Sequence, residues 1–160
     1  MTTPDERAAR IAAIRALPGQ LEAAVANWSD EQLDYRPAPG EWCARQIIHH
    51  VADSHMNAFI RMKLALAEDT PTIKPYDQEV WAEMVDGNQG NVEDSLLILL
   101  GLHARWARLW DSLGEADYAR AYFHPEHGSH TALDQHLVYY SDHGKVHIEQ
   151  IAAIARSRGW

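Results

Sequence analysis

Residues 131–157 read TALDQHLVYYSDHGKVHIEQIAAIARS. Apolar residues recur there every three or four positions, so the stretch predicts one long helix from about Thr131 to Ser157. Leu133, His136, Leu137, Tyr140, His143, His147, Ile151 and Ile154 fall near one face. His143 and His147 stand four apart, which on a helix puts both imidazoles on the same side, one turn apart. Two such rings can share one metal ion, and a third from a facing helix would complete the set. Three protein ligands with an open fourth position is the arrangement of a catalytic zinc rather than a structural one.

The helical period runs through almost the whole chain, and no stretch alternates convincingly with period two. A first helix is expected from about Pro4 to Asn27, bent at Pro18-Gly19 because proline removes a backbone donor and crowds the preceding turn. A second is expected from about Trp42 to Glu68, after a loop punctuated by Pro37, Pro39 and Gly40. DTPTIKPYDQ, with Pro71 and Pro75, reads as an extended crossover. A short helix around Asp77 to Val85 and a turn at Asp86-Gly87-Asn88 follow it. A third long helix spans about Val92 to Leu113, with Asn91 as N-cap and Gly114 as its stop. A loop containing FHPEHGSH then leads into the last helix. Four long helices with some long connections predict a four-helix bundle, an architecture whose core commonly hosts metal sites.

The third ligand is sought on the second helix. His50 shares a face with Ile47, Val51 and Ser54, whereas His49 lies with Gln46, Asp53 and Met56. Spacing favours His50 and leaves His49 and His55 as alternatives. His124, His127 and His130 sit on the expected loop, a poor place to fix ligands, and read as exposed. His103, in LLGLHARWARLW, reads as a packed histidine satisfied by a neighbour or as an interface residue, and His136 as either a pocket-lining or a buried neutral ring. Cys43, the one cysteine, reads as a packed thiol with no identified base.

Length and composition bound the function. A chain of 160 residues is one domain, spanning 1–160, that buries roughly 70% of its unfolded surface. Fourteen basic against 23 acidic residues give a net charge of −9, which argues against a nucleic-acid partner. The opening MTTPDERAAR does not read as a secretory signal. The longest apolar run, Leu96 to Leu100, is far short of the ~20 residues a membrane span needs. A cytoplasmic protein is expected, and a stripe of Leu102, Trp106 and Trp110 suggests a homodimer.

Read in order, the segments at 35–84 (YRPAPGEWCARQIIHHVADSHMNAFIRMKLALAEDTPTIKPYDQEVWAEM), 99–113 (LLGLHARWARLWDSL), 123–126 (FHPE) and 139–154 (YYSDHGKVHIEQIAAI) resemble the DinB/YfiT-like metalloproteins. The likeness is strongest to the YfiT branch of metal-dependent hydrolases and bacillithiol S-transferases. It implies an all-α, up-down four-helix bundle with a long crossover connection. It also implies a divalent zinc or nickel ion on three histidines, which fall here on His50, His143 and His147. The family's last-helix motif usually reads Tyr-Ala-Trp-His-Gly-Lys-His-His. Tyr140, His143, Gly144, Lys145 and His147 keep it, while Ser141, Asp142 and Val146 depart. The metal ligands survive, but the pocket wall, and so the substrate, can differ.

The expected chemistry is transfer of a low-molecular-weight thiol such as bacillithiol onto an electrophilic small molecule. Two alternatives are hydrolysis by metal-activated water and a stress-associated binding bundle without catalysis. Asp53, three residues from His50, is the candidate base or ring-orienting carboxylate. Arg61, eleven residues beyond His50 on the same side, is the candidate contact for an anionic cofactor or substrate, with an ion pair to a helix neighbour as the alternative. Tyr76, Trp81 and Trp106 read as pocket wall or core.

Overall fold

The computed structural model describes residues 1–160. In chain order the elements are α1 (Pro4–Ala24), α2 (Asp30–Leu33), α3 (Ala44–Ala67), α4 (Gln78–Ala82), α5 (Val85–Gln89), α6 (Val92–Asp111), a 3-10 turn (Glu115–Ala119), strands β1 (Ala121–His124) and β2 (Ser129–Ala132), and α7 (Leu133–Arg158). Local chemistry sets the boundaries. Thr3 and Glu6 form a reciprocal capping box, and Asn91 caps α6 by accepting from the Glu93 N–H at 3.1 Å. Gly159, at φ +73, ends α7 in the left-handed conformation that glycine adopts without penalty.

The four long helices make the bundle, α1 and α3 each packing between α6 and α7. Arg7 meets Asp134 and Leu17 faces Gly144, so α1 and α7 run the same way. His49 meets Ser95 and Met62 meets Trp106, so α3 and α6 run together as well. Arg61 meets Tyr140 while the earlier His50 lies against the later His147, so α3 opposes α7. The crossover between α3 and α6 carries the chain back to the end where α3 began. On its way, Ile73 N–H donates to the Phe123 carbonyl and Phe123 N–H to the Pro71 carbonyl.

The core is two apolar clusters with a polar seam between them. One holds Ile11, Ile14, Met62, Trp106, Trp110 and Leu137, and the other Leu17, Leu21, Ile48, Val51, Leu99 and Ile151. On α3, α6 and α7 the residues between the clusters include His55, His103, His143 and His147.

Some expectations need correction. FHPEHGSH is not an irregular loop: it closes an antiparallel hairpin with Ala121 opposite Ala132 and His124 opposite Ser129. The strands have four residues each, too few for alternation to register, and the signal was the turn chemistry of Pro125 and Gly128 (φ +60). Residues 86–88 lie inside α5 rather than in a turn. Gly114 heads the 3-10 turn, and Ser112 caps α6. Trp42 precedes α3, whose N-cap is the buried Cys43. Trp106 and Trp110 are buried in the core rather than on an exposed stripe, and the large apolar residues that α6 turns outward are Leu97, Ile98 and Leu100. Pro18 sits inside α1 without ending it.

Candidate metal centre

His50 from α3 and His143 and His147 from α7 converge, with one ring nitrogen of each lying within 4.8 Å of the others. His143 Nε2 and His147 Nε2 are 3.1 Å apart. Two ligands at the usual zinc–nitrogen distance and tetrahedral angle stand about 3.3 Å from one another. His50 is held against the Trp42 ring, with centroids 4.6 Å apart.

The rings behind the triad fix which nitrogen faces it. The Ile14 carbonyl has lost its intrahelical donor, because the residue four further on is Pro18, which has no N–H. His103 Nδ1 takes that carbonyl at 2.5 Å. A carbonyl only accepts, so Nδ1 carries the proton and His103 Nε2 is left as acceptor. His55 Nδ1, 2.9 Å away, therefore donates to it, and His55 Nε2 accepts in turn from His143 Nδ1 at 3.1 Å. That leaves a lone pair on His143 Nε2. On the other side His147 Nδ1 donates to Gln150 Oε1 at 2.8 Å, which leaves a lone pair on His147 Nε2. Two lone pairs thus face each other with no proton between them. A cation satisfies that arrangement, so the donor set fits a divalent metal.

Electrostatics keep the rings neutral, as ligands must be. Burial pushes His50 down to about 3, with His147 adding to the effect. Burial, then His147 and His50, push His143 to about 2, and burial lowers His147 too. Burial, then His103 and the triad rings, hold His55 well below the ordinary histidine range.

Two cavities meet at the triad. The first, about 770 Å³, is bordered by Arg61, Tyr76, Tyr122, His136, Tyr140 and His143. The second, about 690 Å³, is bordered by Trp42, Ile47, Ile154 and all three triad histidines. Gln78, Tyr139 and His143 line both.

The remaining candidates lie outside the triad itself. Asp53 is half-buried and pushed up to about 6 by desolvation and then by Asp86, yet it lines neither cavity and has no hydrogen bond to a triad ring. Arg61 borders the first cavity and makes no ion pair; it donates to the Tyr140 hydroxyl at 3.3 Å and the Lys74 carbonyl at 3.4 Å. His49 is spent on structure, bonding Ser95 Oγ and the Gly90 carbonyl. His124 and His127 stack at 4.0 Å on the hairpin, and His124 is buried rather than exposed. His136 is fully buried, bonds the Tyr122 hydroxyl at 3.0 Å, and is pushed down to about 3 by burial and then by Arg61. Asp142 pairs with Arg10 and Lys145, away from the triad. Sequence reasoning placed His103 correctly in the packed interior, but not the His55–His103 relay. The signal for it was Pro18 within an otherwise helical period.

Residues 13–151 match the model of the DinB superfamily. A protein of Geobacillus thermodenitrificans named "Putative metal-dependent hydrolase" is 45% identical over 152 residues, covering 94% of this chain and 84% of that protein. "Putative metal-dependent hydrolase YfiT" of Bacillus subtilis is 39% identical over 150 residues, with the same coverage. The solved structure of YfiT from Bacillus subtilis is described as "a probable metal-dependent hydrolase with an unusual four-helix bundle topology". It superposes with a TM-score of 0.97 at 36% identity, over 100% of this chain and 91% of that one.

Proposed function

This chain belongs to the DinB superfamily, and we propose that it is a metal-dependent enzyme that transfers a low-molecular-weight thiol of the bacillithiol kind onto an electrophilic small molecule. In this reading His50, His143 and His147 hold one zinc or nickel ion. The observation that carries it is the facing pair of Nε2 lone pairs at the junction of two cavities. A divalent ion there supplies a Lewis acid that lowers the pKa of a thiol or water in its open position to near or below neutrality.

The protein's own groups do the rest. The His103–His55 relay holds the His143 ring in the tautomer whose Nε2 faces inward, and Gln150 does the same for His147. Two cavities sharing the triad's edge suit two reactants: a polar one over Arg61 and the tyrosines, and one walled by Trp42, Ile47 and Ile154. Holding both reactants beside one centre converts a bimolecular encounter into a local one.

Hydrolysis is the second reading, favoured by the names its relatives carry. The same residues would serve, with water in place of the thiol. Metal-loaded protein is assayed with bacillithiol plus an aryl halide, and separately with activated esters and no thiol. Thioether formation that needs both metal and thiol supports transfer. Ester cleavage without thiol, and no thioether, supports hydrolysis. Neither activity with fully loaded protein contradicts both and leaves a binding bundle.

A further inference from the structure

Three arginines are buried in this chain. Arg7 is met by Glu115 and Asp134, and Arg45 by Asp30 and Asp34. Arg61, 8% exposed, is met by no carboxylate within 4.0 Å, although Asp77 and Glu126 border the same cavity. Its partners are one hydroxyl and one main-chain carbonyl, both at long range, and its Nε has none. A buried charge is ordinarily paired, because the medium around it cannot replace the water it has lost. The first two guanidiniums obey that rule within the chain; the third does not. Its two long contacts leave the guanidinium, a fork that matches a carboxylate's two oxygens, only loosely held at the cavity wall.

The cavity that Arg61 borders is of the size that takes small ligands. Its wall passes through Tyr140, which accepts from Arg61, to His143 one helical turn later. We propose that this cavity is the subsite for a small molecule carrying a carboxylate, with Arg61 taking the carboxylate and the ligand's reactive end directed toward the triad. One uncompensated positive charge suits a monoanion better than a phosphate dianion. The placement of the reactive end rests on the metal-site reading above; the carboxylate subsite itself does not.

The test measures equilibrium binding of mercaptohexanoate and of its uncharged amide, each to zinc-loaded and metal-free protein. The expected result is at least tenfold tighter binding of the acid to wild type, a gap erased by Arg61→Gln and partly kept by Arg61→Lys. Acetate should displace the acid at lower concentration than inorganic phosphate does at equal ionic strength. Equal binding of acid and amide to wild type, or no binding of either, overturns the proposal whether or not the variants fold. So does a gap that survives in folded Arg61→Gln, or stronger competition by phosphate. If zinc strengthens neither thiol, the metal reading fails while the acid-over-amide gap in metal-free protein still decides the subsite.

Discussion

At the scale of single residues, the site is organised by a missing hydrogen. Pro18 leaves the Ile14 carbonyl free, His103 claims it, and the donor direction then passes through His55 to His143. Partners behind metal-ligating histidines typically matter 10- to 100-fold in metal affinity. His103→Leu, which takes away both the anchor and the acceptor for His55, should weaken zinc binding by roughly that factor in competition with a chromophoric chelator. An affinity within threefold of wild type, in a variant that still melts cooperatively, would refute the relay. The four-residue spacing made His143 and His147 legible in the sequence, whereas spacing left His50 beside His49 and His55, and the family resemblance singled it out. The relay was not legible, because it joins residues 14, 55, 103 and 143 from all four long helices, and only their packing brings those together. Asp53 shows the converse: it is one turn from His50 along α3, yet its carboxyl lines neither cavity.

At the scale of elements, α7 packs tightly against α1 where the motif carries Gly144. A Cβ there would lie 2.6 Å from Leu17 Cδ2 and 2.9 Å from Cδ1, and Leu17 is itself buried. Gly144→Ala must therefore move a core leucine or push the helices apart, beside the ligand His143. The expected cost is about 1–3 kcal/mol, as for other overpacked cores, less the gain alanine brings to a helix interior. Urea unfolding of metal-free protein checks it, and an unchanged or raised midpoint would mean that α1 and α7 are not held at this spacing. The long helices were legible because each carries an apolar stripe over several turns. The hairpin was not, since its strands are too short to show a period and its pairing depends on the crossover laid beside Phe123. Trp106 was read both as pocket wall or core and as part of an outward stripe, as both sides of α6 carry large apolar residues. Helical period alone does not say which side meets α1 and α3.

At the scale of the whole molecule, burying so many neutral histidines ties stability to pH. His103 is pushed down to about 4, by burial against the opposing Ile14 carbonyl bond, and His136 to about 3. In the unfolded chain both take up a proton near pH 6.5, while the folded protein does not. As pH falls below 6.5 the unfolded state therefore binds more protons, and stability is lost progressively down toward the folded values. For His103 alone the full loss is on the order of 3 kcal/mol. Asp53, raised to about 6, works the other way, favouring the fold as pH falls from 6 toward 3.8, but it is one group against several. Metal-free protein should show a lower urea midpoint at pH 5 than at pH 7.5. An equal or higher midpoint at pH 5 would mean that these rings are not buried neutral. No helix is long and apolar enough to cross a membrane.

Whether His50, His143 and His147 form one metal site is read most simply from metal content. Protein purified without chelator or nickel resin is analysed for bound metal, wild type beside His147→Ala. About one equivalent of zinc or nickel is expected in wild type and is lost in the variant, with the helical fold of both retained. Wild type that carries no metal and takes up none when zinc is added would contradict a metal site there.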